Sequence, residues 1–188
     1  KVYVDGQLIK DGDKKLRELL NVFIICENPT KGDEILDKKA DKNMINWMLG
    51  NFLKQEPVLN WGYSYGLRFF NYHGINQLQQ IIDKLKKNNE SKSATISLMD
   101  PLGDSGHMPC ICVLDFKIRK GYLLATAFFR SQDAGKKLYA DIISLGKIME
   151  IVSGEVGIKM GELSVLIASL HIYEEDLEEI VLPLIESK

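Results

Sequence analysis

The sequence predicts a mixed α and β (α+β) fold in a single domain that spans residues 1–188. Two observations lead to this prediction. Apolar, β-branched runs typical of buried strands are interspersed with segments whose apolar residues recur at helical spacing. No repeat, low-complexity tract or linker divides the chain, and 45% of its 188 residues are hydrophobic, which is enough for one sizeable core.

The strand predictions rest on apolar runs and on period-two alternation. The first segment alternates and meets a turn at Asp5-Gly6, which indicates a short strand or a hairpin. The last apolar run before the C-terminal segment reads as a buried strand. Gly121 lies between two of the other segments and indicates a hairpin. The predicted strands are residues 1–8, 16–26, 93–98, 111–118, 122–130 and 159–173.

Helices are predicted where apolar residues recur every three or four positions. The longest such segment follows the predicted hairpin, and the C-terminal one is acidic at its start. The predicted helices are residues 41–53, 75–87, 134–153 and 174–187. Loops are predicted at residues 27–37 and 100–107, and residues 56–66 are aromatic and rich in turn formers.

Charge and cysteine content exclude several classes of protein. The net charge of −2 provides no strong field for nucleic acid or anionic lipid, so neither is expected as a partner. No apolar stretch reaches the roughly 20 residues that span a bilayer, and no signal peptide is visible. The three cysteines form no disulfide framework, and Cys110-Ile-Cys112 has the wrong spacing for zinc. We expect a cytoplasmic protein without a bound metal.

A candidate nucleophile stands at the junction of the loop 100–107 and the next predicted strand. Cys110 follows Met108-Pro109, and a polar loop bounded by Gly and Pro suits the rim of a site. Arg130, on a neighbouring strand, supplies a positive charge that favours the thiolate, which is the nucleophilic form. The alternative is a buried structural cysteine, which is what we expect of Cys112.

Polar residues after the predicted hairpin indicate an anion site. Arg130-Ser131 is predicted to end a strand and begin a helix, where a guanidinium, a hydroxyl and free helix N–H groups would together bind phosphate. The alternative is helix capping by Ser131 or Asp133, with Arg130 in a surface ion pair.

Three further polar residues are candidates. His171 and Tyr173 lie on one face of a strand, because side chains alternate, and could hold a sugar hydroxyl. The alternative is a half-buried strand edge. Asp141 lies near the border of the apolar face of the long helix, where a charged residue is usually solvated. His73 and His107 fall in loops and are expected to face solvent.

In combination these motifs resemble those of the thymidylate synthase family. Pro109-Cys110 is followed, twenty residues after the cysteine, by Arg130, the first residue of an Arg-Ser-Gln-Asp motif. His171-Ile-Tyr173 begins forty-one residues after Arg130. Residues 65–68, 76–78 and 161–163 fit the same pattern. The resemblance covers roughly residues 61–176, and the short chain is more similar to the compact archaeal or phage-type members.

The resemblance implies a thymidylate synthase-like fold and the roles of the site. Cys110 would add to C6 of a pyrimidine 5′-monophosphate, which makes C5 nucleophilic toward the methylene group of 5,10-methylenetetrahydrofolate or a related methylene-pterin. Arg130 and Ser131 would bind the phosphate. Asp133 would be a second catalytic residue that orients the base and the folate.

The remaining implied roles concern the sugar, the base and the assembly. His171 and Tyr173 would hold the sugar 3′-hydroxyl, and the family implies a homodimer formed through a sheet face. Asp141 stands eleven residues after Arg130, where uracil-specific members carry an Asn. An ionised carboxylate only accepts hydrogen bonds and would repel uracil O4, but it can accept from the cytosine amine. Asp141 therefore resembles the deoxycytidylate hydroxymethylase branch.

The sequence departs from the family pattern in several places, among them the small C-terminal closing tail, which is absent as a motif. Lys92 stands where an Arg pair of the partner subunit usually binds the phosphate, and the N-terminal Arg loop is not apparent. The active-site Glu has no evident counterpart, and residues 43–45 lie near its expected place. Two alternatives to a cytosine-nucleotide hydroxymethylase therefore remain: a thymidylate synthase that methylates deoxyuridylate, and a non-catalytic nucleotide-binding homologue.

Overall fold

The computed structural model describes residues 1–30, 32, 34–58, 64–104 and 106–185. Its centre is one mixed sheet, in which β7 runs parallel to β5 and β6 and the other pairs are antiparallel. The sheet order is β1-β2-β7-β5-β4-β3, and β6 pairs with β7 beyond the end of β5. The strands are β1 (Gln7–Asp11), β2 (Lys14–Cys26), β3 (Ala94–Ser97), β4 (Ile111–Arg119), β5 (Tyr122–Phe129), β6 (Gln132–Asp133) and β7 (Lys159–Tyr173).

The helices begin and end where local chemistry dictates. Asp41, Ser64 and Asn76 accept hydrogen bonds from main-chain N–H groups of the first turns that follow them. The longest helix ends at Gly157, which adopts a left-handed conformation. The helices are α1 (Val2–Asp5), α2 (Glu34–Lys39), α3 (Lys42–Leu53), α4 (Tyr65–Phe70), α5 (Gln77–Lys87), α6 (Leu138–Val156) and α7 (Leu182–Ile185), with a 3₁₀ turn (Glu174–Asp176) and a π turn (Leu177–Val181) before α7. In the described ranges, no helix has the length and hydropathy needed to cross a bilayer.

Helices cover one face of the sheet and create a single core cluster. Alternate residues of the central strands are fully buried, including Phe116 on β4, Phe129 on β5 and Val165 on β7. Leu85 of α5 and Leu145 of α6 are also fully buried in that cluster. The predicted α+β fold class is therefore confirmed.

The opposite face of the sheet exposes a row of large apolar side chains. Phe23 on β2, Leu166 on β7 and Phe128 on β5 are paired in register across three adjacent strands. Their exposed fractions are 57%, 39% and 37%, and Ile25 beside them is 53% exposed. We call these four residues the apolar row. Such a patch on one face of a sheet is typical of an interaction surface.

Several predicted segments differ from the structure. Residues 1–8 contain the short helix α1 before β1 begins, and the hairpin turn lies at Gly12, whose φ of +58° suits a tight turn better than Asp5-Gly6 does. Helix α2 begins inside the predicted loop 27–37. Helix α4 begins inside the turn-rich segment 56–66, of which residues 59–63 lie outside the described part of the chain.

The predicted terminal helix 174–187 is broken into three short pieces. Pro183 lacks a main-chain N–H group, so the ladder of i to i−4 hydrogen bonds cannot run through it. The last pieces therefore form a π turn and the single turn α7, and the predicted end of the helix lies outside the described residues. The longest helix begins at Leu138 and not at residue 134, because the chain after β6 first makes a turn.

Candidate active site

A cavity of about 610 Å³ lies at one end of the sheet. The parallel strands β5 and β7 end at this place, and the antiparallel strand β4 begins beside them. The cavity wall contains all seven residues that the sequence singled out, which are Cys110, Arg130, Ser131, Asp133, Asp141, His171 and Tyr173. The topology therefore brings together residues from three segments that are distant in sequence.

Cys110 is half-buried and immediately precedes β4. Its main-chain carbonyl accepts a hydrogen bond of 2.9 Å from the N–H of Arg130. The hydroxyl of Ser131 points to its sulfur, with Oγ 3.8 Å from Sγ. Cys112 is buried in the core as predicted, and burial raises the pKa of its thiol, so it is a poor nucleophile beside Cys110.

The guanidinium of Arg130 supports the loop that carries Cys110. Its Nε donates to the carbonyl of Pro109 at 3.0 Å, and its Nη2 donates to the carbonyl of Met108 at 2.7 Å. Nη1 lies 3.3 Å from Oγ of Ser131. The expectation that Arg130-Ser131 begins a helix is wrong, because the next two residues pair with β7 as β6 and keep the chain extended.

Asp133 forms part of a polar row across three strands. It pairs in register with His171 on β7, and His171 pairs in turn with Glu18 on β2. Oδ1 of Asp133 accepts hydrogen bonds from the N–H groups of Gly135 and Lys136, at 2.9 Å and 3.1 Å. Asp133 therefore stabilises the turn that precedes α6. The row also places one acidic residue on each side of His171: Asp133 on β6 and Glu18 on β2.

His171 and Tyr173 share one face of β7, as the alternation predicted. Their ring centroids are 5.0 Å apart and the planes are nearly perpendicular, at 79°. His171 is buried and Tyr173 is half-buried. Burial, with the nearby charges of Asp133 and Asp11, raises the pKa of Tyr173, so its phenol remains protonated and can donate a hydrogen bond.

Asp141 is 4% exposed, so the reading of it as a solvated helix residue is wrong. Its Oδ2 accepts a hydrogen bond of 2.6 Å from Nε2 of Gln132. Its Oδ1 is buried and has no hydrogen-bond partner among the described residues. Burial raises the pKa of Asp141 to about 7, although the Gln132 hydrogen bond and the charge of Lys137 oppose the shift.

Sequence reasoning missed several residues of the cavity wall. His107 was expected to face solvent; it is exposed, but it lines the cavity, and partial burial with the charges of Arg130 and Lys137 lowers its pKa. Lys10 on β1 and Lys137 add two cations to the wall. Nothing in the periodicity around these residues distinguishes them from ordinary surface positions.

Two other missed residues did leave a signal in the sequence. Glu18 and Asn51 are polar positions within predominantly apolar runs, and both line the cavity. The hydroxyl of Ser169 donates to Oε1 of Glu18. Asn51 is 2% exposed, and its Oδ1 accepts from the N–H of Tyr65. A polar residue placed where a strand or helix should be apolar is a recognisable sign of a site.

Helix α3 presents no carboxylate to the cavity. The side chains of α3 that line it are Trp47, Met48 and Asn51, and the sequence of α3 contains neither Asp nor Glu. The segment 43–45, which the sequence suggested for a catalytic Glu, lies earlier in the helix, and its residues are not in the cavity wall.

A thiol, cations and a His/Tyr pair around one cavity are the chemical groups of a transferase for an anionic substrate. The sequence model of the thymidylate synthase family, described as "Thymidylate synthase", matches residues 22–187. The chain therefore belongs to the thymidylate synthase family, a family of enzymes of the methyltransferase type.

Curated relatives support the same conclusion. The chain is 33% identical over 176 residues to a protein of Methanosarcina barkeri, covering 91% of this chain and 81% of that protein. It is 35% identical over 184 residues to one of Methanopyrus kandleri, covering 95% and 88%. It is 30% identical over 196 residues to one of Methanothermobacter marburgensis, also covering 95% and 88%. All three are named "Putative thymidylate synthase".

Proposed function

We propose that this protein transfers a one-carbon unit from 5,10-methylenetetrahydrofolate, or a related methylene-pterin, to C5 of a cytosine nucleoside 5′-monophosphate. Membership of the family supports one-carbon transfer to a pyrimidine nucleotide. The observation that carries the choice of cytosine is Asp141, a carboxylate buried in the cavity wall, one oxygen of which has no partner within the described part of the chain.

Cys110 is the proposed nucleophile. Its sulfur forms a bond to C6 of the pyrimidine, and the electron pair of the C5–C6 double bond moves so that C5 can attack the one-carbon unit. The C5 proton then leaves as the bond between the transferred carbon and the pterin nitrogen breaks, so that the tetrahydropterin is the leaving group. Water adds to that carbon to give a hydroxymethyl group, and the C6–sulfur bond breaks as the C5–C6 double bond re-forms. The hydroxyl of Ser131, 3.8 Å from the sulfur, is placed to stabilise the thiolate before attack and after release.

Different groups of the cavity wall are proposed for the phosphate and for the sugar. Arg130, Lys10 and Lys137 are the cations of the cavity wall and supply the charge that a phosphate requires. His171 and Tyr173, side by side on β7, are the proposed partners of the 3′-hydroxyl. This arrangement leaves the base to reach inward toward Asp133 and Asp141.

A pterin fits the apolar part of the wall. Trp47 is 40% exposed and Met48 is beside it, so a ring system can stack there above the base. When bound, the methylene-pterin supplies a carbon at the oxidation level of formaldehyde. Asp133, which also lines the cavity, is the proposed group that orients both the pterin and the base.

The base is read by Asp141. A cytosine presents an amine at position 4, which can donate to the unpartnered Oδ1, whereas uracil presents a carbonyl oxygen that an ionised carboxylate repels. Burial strengthens this discrimination, because water cannot intervene between the two groups.

The test is tritium release from C5-labelled dCMP and dUMP, each with methylenetetrahydrofolate, measured for the wild-type protein and for Asp141→Asn. Release from dCMP is expected to dominate in the wild type. The amide of Asp141→Asn can donate to O4, so the ratio of kcat/KM for dCMP over dUMP should fall by about tenfold or more. Equal ratios in the two proteins would overturn the proposed role of Asp141.

A second candidate function follows from helix α3. Because that helix offers no carboxylate to organise protons at the base, a nucleotide-binding homologue without catalysis is the alternative. Binding of dCMP or dUMP without any tritium release would favour this alternative. Release from dUMP alone would instead favour a thymidylate synthase that methylates deoxyuridylate.

A further inference from the structure

Gln132 is a buried polar residue to which neither the family pattern nor the proposed mechanism gives a role. It lies on β6, is 2% exposed and lines the cavity next to Asp141. Its Nε2 donates to Oδ2 of Asp141 at 2.6 Å, and its Oε1 accepts from the N–H of Asp133 at 3.2 Å. The main-chain donor fixes which end of the amide faces Asp141, because only an acceptor can occupy the position opposite an N–H group.

This arrangement limits what Asp141 can present to a ligand. With Oδ2 engaged by Gln132, Oδ1 is the oxygen left for a base, since it is buried and receives no hydrogen bond from any residue that the structure describes. A buried polar atom without a partner is costly unless a ligand satisfies it. An amide donor on Oδ2 also favours the ionised form of the carboxyl, and the ionised form can only accept hydrogen bonds.

We propose that Gln132 is the positioning residue that sets the base preference of the site: it holds Asp141 as an acceptor and leaves a single oxygen to meet position 4 of the pyrimidine. This inference rests on the proposed function. Cytosine donates to that oxygen through its amine. Without the Gln132 amide, the buried carboxyl would keep its proton, and its hydroxyl could donate to O4 of uracil.

The charges around Asp141 set the pH range in which this effect operates. Burial raises the pKa of Asp141 to about 7, Asp133 on β6 raises it further, and Lys137 at the start of α6 lowers it. The side chains of α3 in the same wall are uncharged. The other titratable groups of the wall include His171 and Tyr173 on β7, Glu18 on β2, Lys10 and Asp11 on β1, and His107 and Cys110 before β4. Preference for cytosine should therefore increase as the pH rises through about 7, because Asp141 then ionises.

The experiment is calorimetric titration of dCMP and of dUMP at several pH values, with the wild type, Gln132→Met and Gln132→Asn. In the wild type, the ratio of dCMP to dUMP affinity should rise with pH. Gln132→Met removes the amide at similar volume, and Gln132→Asn keeps an amide that is too short to reach Oδ2. Both variants should lower the ratio of dCMP to dUMP affinity at pH 7 by about tenfold. They should also move the midpoint of the rise of this ratio with pH to a higher pH.

Two controls separate positioning from general damage. Ser144→Ala alters a buried residue of α6 whose hydroxyl donates to the carbonyl of Ala140 in the same helix, so it should leave the affinity ratio and the midpoint of its pH dependence unchanged. In an Asp141→Asn background, Gln132→Met should no longer change the ratio, because Gln132 acts through Asp141.

The outcomes distinguish this inference from the proposed function. If neither nucleotide binds the wild type, the proposed function fails. If both bind, but the wild-type ratio is independent of pH or a folded Gln132 variant leaves the ratio unchanged, the role of Gln132 is wrong. If the ratio of dCMP to dUMP affinity falls as the pH rises, ionised Asp141 favours uracil, as it would if Oδ1 accepted a hydrogen bond from N3–H of that base. This result would also overturn the inference. The wild-type titration decides this point even where a variant does not fold.

Discussion

At the scale of single residues, Cys110 and Cys112 show how two thiols in one tripeptide differ. Cys110 lines the cavity and lies next to Ser131, whereas Cys112 is buried in the core with a raised pKa. Only the first can reach a ligand. Substitutions of the two cysteines are therefore a matched pair: Cys110 immediately precedes β4, and Cys112 lies within it.

Covalent trapping should depend on Cys110 alone. In the presence of methylenetetrahydrofolate, a 5-fluoro pyrimidine nucleotide should form a covalent adduct that increases the mass of the intact protein. The adduct should accumulate, because the fluorine at C5 cannot be lost as a cation in the way that the C5 proton is lost. Cys110→Ser should abolish this adduct, measured by mass spectrometry of the whole chain. Cys112→Ser should retain it, and an adduct that survives Cys110→Ser would rule out Cys110 as the nucleophile.

Asp141 should make the free energy of unfolding decrease as the pH rises, which is opposite to the usual effect of a carboxyl whose pKa is lowered on folding. Its pKa is raised from 3.8 to about 7 on folding, so between these values the folded state binds more protons than the unfolded state. The stability it contributes is complete below the unfolded pKa and is lost as the pH rises through about 7. The slope is at most about 1.4 kcal/mol per pH unit.

The measurement is the free energy of unfolding at a series of pH values for the wild type and Asp141→Asn. The wild type should lose stability relative to the variant as the pH rises from 5 to 8, because an amide does not titrate in this range. A difference that stays constant across the series would show that the carboxyl is not protonated in the folded protein.

At the same scale, the site could be predicted only in part. The seven candidates were found because each stood in a motif, yet the burial of Asp141 was missed, since helical periodicity does not show which border residues the neighbouring β6 covers. The pairing of Gln132 with Asp141 depends on a two-residue strand, and so short an element has no periodicity to detect.

At the scale of elements, long and strongly periodic segments were predicted well. Strand β7 coincides with its predicted range, and α3 and α5 lie within theirs. The errors fall on short pieces such as α1 and α4, whose few residues carry too little pattern and are held by tertiary contacts. Helix α4, for instance, is held by the buried ion pair of Arg68 with Asp104.

That ion pair should be a large contributor to stability. Arg68 and Asp104 are 4% and 6% exposed, and Arg68 also donates to the carbonyl of Leu98. Burial alone would raise the pKa of Asp104, but the hydrogen bonds and charge of Arg68 outweigh it and lower the pKa. Asp104→Asn leaves the guanidinium without its counter-charge, at a cost of about 3 kcal/mol or more.

Denaturant unfolding would measure this effect. The matched control is Glu150→Gln, which removes the exposed ion pair of Lys147 with Glu150 and should change the free energy of unfolding by less than about 0.5 kcal/mol. Equal effects of the two substitutions would mean that the Arg68–Asp104 pair contributes little beyond a surface pair.

At the scale of the whole molecule, we propose the apolar row as the surface through which two copies of the chain would pair. The family implies a homodimer through a sheet face, and the row provides an apolar sheet face of the kind that such an interface buries. If the proposed homodimer uses this face, Leu166→Glu should dissociate it, because the substitution would place one carboxylate from each copy in the interface.

Sedimentation at micromolar concentrations tests the dimer. Ile75→Glu is the control, since Ile75 is 46% exposed and lies outside the sheet, so its substitution should leave the assembly unchanged. A wild-type protein that sediments as a monomer would contradict the homodimer, whatever the variants do.

The pairing of β2 with β7 also governs how the protein folds. The hydrogen bond of Ser169 with Glu18 joins residues 151 positions apart, and it lies in the wall of the cavity. Contacts between residues so far apart in sequence form late in folding, because the chain loses the entropy of closing the loop before these contacts stabilise it. During refolding, the helices and the β4–β5 hairpin should therefore form before the wall of the cavity is complete.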